Sequence, residues 1–209
     1  MENSNPLNMS CFFSKTLIFI IGLILSYSIM ADEQQPLLLP AKLIIQSGDL
    51  IFREGTQPVS DVVLNLDASG YSHVGMLYKN EQTQIWYVLH ATPSEIKGKP
   101  DSVVLDTLAF YLSSQNAKKY AIYRVQATNE QHQQAVNFAL SQQGTPFDIT
   151  AKQGTYCTLL MLDAWKAASI DLQVSFSRIE LPFVAGDYLL PKDLRASPKL
   201  TEIYTDQIN

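Results

Sequence analysis

Cysteine is nearly absent from this 209-residue chain, which has only Cys11 and Cys157. Cys11 stands ahead of the apolar stretch TLIFIIGLILSYSIM, residues 16–30, so removal of that stretch would leave Cys157 alone, with no disulfide available within the chain. Basic residues are not in excess: 15 Lys and Arg face 20 Asp and Glu, for a formal charge of −5. They are also scattered, so the electrostatic footprint of a nucleic-acid binder is missing and no nucleic-acid partner is expected. No apolar run reaches the ~20 residues that cross a bilayer comfortably as a helix. Internal repeats and low-complexity blocks are absent as well, which excludes solenoids and fibrous classes.

The apolar stretch follows Lys15 and ends at Ala31 before the polar DEQQP. Charge, apolar segment and small residue in that order make a signal peptide over residues 1–31, and place the folded part in the periplasm or outside the cell. Ile29 is larger than the usual residue at a cleavage site, so an uncleaved amino-terminal anchor, with membrane association through residues 16–30, is the rival reading. A lipoprotein does not fit, because Cys11 precedes the apolar run. Residues 32–209, about 178 in all, suit a single domain with a sizeable core.

Within that part, β-rich runs alternate with two helical stretches, which predicts an α+β fold. Leu50–Arg53 in GDLIFREG reads as a strand. VGMLY (74–78) and IWYVL (85–89) read as a hairpin across KNEQTQ, residues 106–114 as a short helix, and YAIYRVQ (120–126) as another strand. Thr128 and Gln131 have capping-box spacing for a helix over about 130–143, with Ala135, Val136, Ala139 and Leu140 on one face and Gly144 at its end. A second helix begins near Cys157 in GTYCTLLMLDAWKAA and is apolar over most of its circumference, as a core helix is.

A lone thiol in the first turn of a helix is a candidate nucleophile, since the unpaired N–H groups and dipole there favour thiolate. Cys157 also shares a helical stripe with Met161, Ala164 and Ala168, and could equally be a small buried hydrophobe. Catalysis would need an imidazole, and there are three histidines. His132 lies in NEQHQQ at a helix start and reads as a solvated residue. His73 and His90 flank the hairpin. If it closes about Glu81 and Gln82, Gly75 opposes Val88 and His73 opposes His90 on one face, with β-carbons ~5 Å apart. One thiol and two histidines could ligate zinc, but such sites draw on more thiolates or on closely spaced ligands. No metal and no cofactor is expected.

SGDLIFREG, YSHVGMLYK, GTPFDITAKQGTYCTLLMLDAWKAASI and LLPKDLRASPKL occur in the order seen in the permuted papain-like hydrolases of the YiiX/YebB group, within the NlpC/P60 superfamily. The resemblance spans about residues 47–204. It implies a circularly permuted papain-like fold, an antiparallel sheet packed against helices, with the histidine strand ahead of the cysteine helix. It further implies Cys157 as nucleophile, His73 as general base and a third polar residue at the end of the next strand. Many YiiX-like proteins have glutamate there in a VLEA-like segment, whereas this chain has His90 in VLHAT. Histidine at that position is more similar to the lecithin retinol acyltransferase branch, which moves acyl chains between lipids. A neutral His90 can orient His73 but supplies no countercharge, so the resting thiolate fraction is expected to be smaller.

The implied chemistry is acyl transfer through a thioester, with the oxyanion against the backbone N–H of Cys157. Tyr156 could line the cleft or donate a hydrogen bond, or simply pack; Asp49 in SGDL could belong to the site, or to a turn. Three functions follow: an exported cysteine amidase or peptidase acting on a cell-wall peptide or other amide, a lipid-directed acyltransferase or thioesterase, and a non-enzymatic binding module. Nothing in the sequence sets the oligomeric state.

Overall fold

The computed structural model describes residues 39–206 apart from Phe183. The leader, its apolar run and Cys11 lie outside the described residues. Among those described, no helix is long and apolar enough to cross a membrane.

Six antiparallel strands form one sheet in the order β4-β3-β2-β1-β5-β8. They are β1 (Leu50–Gly55), β2 (His73–Lys79), β3 (Trp86–Thr92), β4 (Ser102–Thr107), β5 (Ala117–Val125) and β8 (Leu200–Thr205). β6 (Ser177–Ile179) and β7 (Gly186–Tyr188) make a separate two-stranded ladder. The helices are α1 (Pro58–Asp67), α2 (Leu108–Tyr111), α3 (Asn129–Ser141), α4 (Cys157–Ala167) and α5 (Pro191–Arg195).

Strand alternation divides the core in two. Leu50, Phe52, Val74, Met76, Leu89 and Ala91 face α3 and α4, where they meet Val136, Leu160, Met161 and Trp165. Ile51, Leu77, Val88 and Ile122 face the other way, under Tyr111 and Leu112. The expected α+β fold with an antiparallel sheet packed against helices is what forms, and both anticipated long helices are present. Thr128 and Gln131 close their capping box, with the Gln131 N–H donating to Thr128 Oγ1 at 3.2 Å and the Thr128 N–H donating to Gln131 Oε1 at 3.0 Å.

Three expectations need correction. Residues 106–114 are not one helix: β4 runs through Thr107 before α2 begins, because Val103 and Leu105 alternate into the core while Asp106 faces the other side. The hairpin register differs by two residues, since Val88 pairs with Leu77 instead of Gly75. The Asn80 side chain sets the turn, accepting the N–H groups of Gln82 and Thr83 at 3.0 Å each, and the Asn80 N–H bonds to the Ile85 carbonyl. A slip of two preserves the face of every side chain, where a slip of one would have reversed it.

His132 is the third correction. It is buried under Trp165, ring centroids 4.9 Å apart and edge-on, and its Nε2 donates to the Val125 carbonyl at 3.2 Å. The residue stands on the inner face of α3 beside Ala135 and Val136, so NEQHQQ is polar in composition yet not wholly solvated. His132→Ala is therefore expected to cost about 2 kcal/mol in urea denaturation, as truncation in a packed core does. A loss below about 0.5 kcal/mol, the range of surface substitutions, would show that the Trp165 contact contributes nothing.

Candidate active site

The amino terminus of α4 is fixed from three sides. Thr158 is fully buried and its hydroxyl donates to the Leu189 carbonyl at 2.6 Å. Tyr156, the residue preceding the helix, accepts the Leu189 N–H on its hydroxyl at 3.2 Å. Upstream, Thr155 bonds through its N–H to the Pro146 carbonyl, and a Cβ at Gly154 would lie 2.1 Å from that same oxygen, so only glycine lets the loop fold this closely. Cys157 is thereby held at the first helical residue, half-buried and the one free cysteine among the described residues.

Cys157 and His73 line one cavity, together with Arg53 at the end of β1 and Tyr156. The backbone N–H groups of Val74, Thr158 and Cys157 itself lie against the sulfur, and Val74 directly follows His73. These donors favour thiolate, but burial outweighs them and pushes the thiol from 9.0 up to about 11. Burial also holds His73 well below its ordinary 6.5, helped by Arg53 and then His90. Burial thus disfavours the charged form of both groups, thiolate and imidazolium.

His73 and His90 do meet. Their Nε2 and Nδ1 atoms are 2.8 Å apart, although in the observed register the two residues are diagonal neighbours. Gly75 makes this approach possible: a Cβ there would stand 2.3 Å from Val88 Cγ1 and 3.1 Å from His90 Cβ. Tyr111 brackets both imidazoles, its ring 5.9 Å from His73 and 5.0 Å from His90. On the far side His90 Nε2 lies 3.0 Å from Asp106 Oδ2. Burial lowers the His90 pKa, partly offset by the hydrogen bond to Asp106.

Asp49 is placed elsewhere. It is fully buried at the opposite end of β1, receives Arg124 Nε at 2.8 Å and Nη2 at 2.7 Å, and does not line the cavity. Its role is to anchor β5 to the strand start. Tyr156, in contrast, is in the cavity wall, with its hydroxyl hydrogen still available to donate.

Arg53, Glu95, Asp106 and Tyr111 were not singled out from the sequence. Arg53 forms a buried ion pair with Glu95, donates to the Tyr111 carbonyl at 2.8 Å, and lies 4.0 Å over the Tyr111 ring. The available signal was alternation: Arg53 shares its strand face with Ile51, an inward position where a guanidinium needs a partner.

Most of the remaining wall is apolar, with Val59, Val63 and Leu66 of α1 facing Phe147, Ile149 and Leu190, and with Ser60, Ser72 and Thr92 among its polar members. Among the described residues no three of His, Cys, Asp and Glu cluster so as to hold a metal ion.

Residues 44–204 match the family described as permuted papain-like amidase enzymes, YaeF/YiiX. The crystal structure titled metalloprotein yiiX from Escherichia coli O157:H7 has the same fold, with a TM-score of 0.63 and 20% identity over 77% of this chain and 97% of that one. No curated protein matches in sequence.

Proposed function

This chain belongs to the permuted papain-like amidase family of the YaeF/YiiX type, and from that membership we propose an exported cysteine amidase or peptidase acting on a cell-wall peptide or another amide. The observation that supports it best is the convergence of Cys157, at the first residue of α4, and His73, hydrogen-bonded to His90, on one cavity. Export rests on the leader around residues 16–30.

In this reading His73 spends Nε2 on His90, which leaves Nδ1 to take the thiol proton. As Cys157 Sγ attacks the amide carbonyl, its proton passes to His73 Nδ1, and the oxyanion is received by the Cys157 N–H. The imidazolium then protonates the leaving amine as the C–N bond breaks, leaving a thioester. Water adds to the thioester while His73 again takes a proton, and the acid and the free thiol are released. An amine in place of water completes an aminolysis. His90 orients the base, and Tyr156 is placed to donate a further hydrogen bond.

The raised thiol and the lowered imidazole define the pH response. In the full chain carrying Cys11→Ser, alkylation of Cys157 by iodoacetamide is expected to climb steadily with pH toward about 11, with no plateau below 9. A plateau reaching down to pH 5 would instead show a resting thiolate–imidazolium pair. Turnover responds in the same direction but at lower pH: His73 must be neutral to act, so kcat/KM falls as pH drops through an acid limb below 6.5.

The apolar cavity walls favour a second reading, a lipid-directed acyltransferase or thioesterase with the acyl chain against Val59, Val63 and Leu66. Product analysis separates the two. Release of an amine or peptide from cell-wall peptides supports the amidase, and release of a fatty acid, or its transfer to an acceptor, supports the lipid enzyme. No product from either class would leave a binding role on the same scaffold.

A further inference from the structure

Asp106 stands outside the cavity that holds the thiol, yet it ends a directed chain of hydrogen bonds. Its Oδ2 is 3.0 Å from His90 Nε2, and His90 Nδ1 is 2.8 Å from His73 Nε2. A carboxylate only accepts, so His90 must carry its proton on Nε2 and donate it. The other nitrogen of a neutral His90 is then a lone pair, which accepts from His73. His73 must in turn be protonated on Nε2, and its Nδ1 is left as the basic nitrogen. Every proton position along the chain is dictated by the acceptor at its end.

We propose that Asp106 is a positioning residue of the active site, which acts through His90 to hold His73 in the tautomer whose Nδ1 can accept the thiol proton. The proposal rests on the reading of His73 as the base. It also supplies what a histidine at the third position lacks. His90 is fully buried, whereas Asp106 is 18% exposed and lines a second cavity together with Lys99 and Gln143. The chain thus leads from a fully buried histidine to a partly exposed carboxylate. When His73 becomes imidazolium, the Asp106 side chain offsets its charge through His90. Other groups also act on His90. Arg53 from β1 opposes its protonation, Glu95 from the β3–β4 connection supports it, and His73 from β2 and the Tyr111 ring from α2 pack against it.

The test uses the full-length, tag-free Cys11→Ser chain labelled with ¹⁵N-histidine, whose three imidazoles are assigned by single substitutions. At pH 7.5 the ¹⁵N shifts of His73 and His90 are expected to report Nε2–H and bare Nδ1 in both rings. Asp106→Asn is of equal size but can donate as well as accept, so it should admit the opposite tautomer in both rings. It should also slow iodoacetamide alkylation of Cys157 about tenfold, equivalent to ~1.4 kcal/mol. Asp106→Glu, which again only accepts, should restore both readings. Unchanged imidazole shifts in Asp106→Asn would overturn the proposal, as would parent shifts showing Nδ1–H on His73. His73→Ala separates this from the reading beneath it: alkylation unaffected by that change removes His73 as base, while the effect of Asp106 on the tautomers is judged from the shifts alone.

Discussion

Replacing His73 with alanine is expected to lower turnover by about 10²- to 10⁴-fold, the range supplied by a positioned general acid–base. The effect should be large because the other polar groups of the cavity are committed elsewhere. Arg53 cannot accept a proton, Glu95 in the same wall is paired with Arg53, and His90 is fully buried and held between His73 and Asp106. The thiol, pushed up to about 11 by burial, has a very small thiolate fraction at neutral pH, so the reaction depends on proton removal during attack. The acid limb of the pH profile should disappear together with the activity, since that limb is the titration of His73. Turnover within twofold of the parent, with the limb intact, would remove His73 from the mechanism. His132→Ala is not a neutral control for this measurement, because His132 packs on Trp165.

Arg53→Ala should produce the largest loss of stability, about 3–5 kcal/mol, read as a shift of about 2 M in the urea midpoint. Arg53 and Glu95 have side chains only 2% and 3% exposed. Removing the guanidinium strands the Glu95 carboxylate in a dry site, where one oxygen already lacks a hydrogen-bond partner among the described residues. It also frees the Tyr111 carbonyl and empties the face of the ring that packs on both imidazoles. The double change Arg53→Met with Glu95→Gln should recover much of the stability, because it removes the buried charges together. Equal midpoints for Arg53→Ala and the parent would show that the pair is not coupled to the fold. Catalysis should respond in a different way from stability. Arg53 opposes protonation of both histidines and favours the thiolate, so the double variant should raise the acid limb of kcat/KM even where it is folded.

These two expectations meet at His90. Glutamate at the third position would place a negative charge directly on the base. His90 instead passes the contact to Asp106, so the charge lies one imidazole further away, beside solvent. The arrangement can still orient His73 while leaving it neutral at rest, in agreement with a thiol that is not ionised before substrate arrives.

Much of the candidate site was legible in the chain. Scarcity isolated Cys157 and three histidines, helical periodicity placed Cys157 at a helix start, and strand alternation put His73 and His90 on one face. That last inference held even though the register was wrong by two, because side-chain direction in a strand depends only on parity. Alternation was less visible in SVVLDT, where a short strand runs straight into α2. Helix α1 escaped notice for a related reason. Its Val59, Val62, Val63 and Leu66 have helical spacing, but they line a cavity and do not pack into the core. Composition also misplaced His132, since polar neighbours on the exposed turns of α3 say nothing about the one turn that faces Trp165.

By itself, then, the sequence determined the class of fold, the order of histidine strand and cysteine helix, and the identities of nucleophile and base candidates. These depend on local periodicity and on which reactive side chains exist at all. Only the tertiary structure decided that Arg53 pairs with Glu95, that Asp106 stands behind His90, and that burial raises the thiol while lowering the imidazoles. Those facts arise from strands that are distant in sequence and adjacent in the sheet, where desolvation and hydrogen-bond direction, neither of which is a property of any single segment, set the charge of each group.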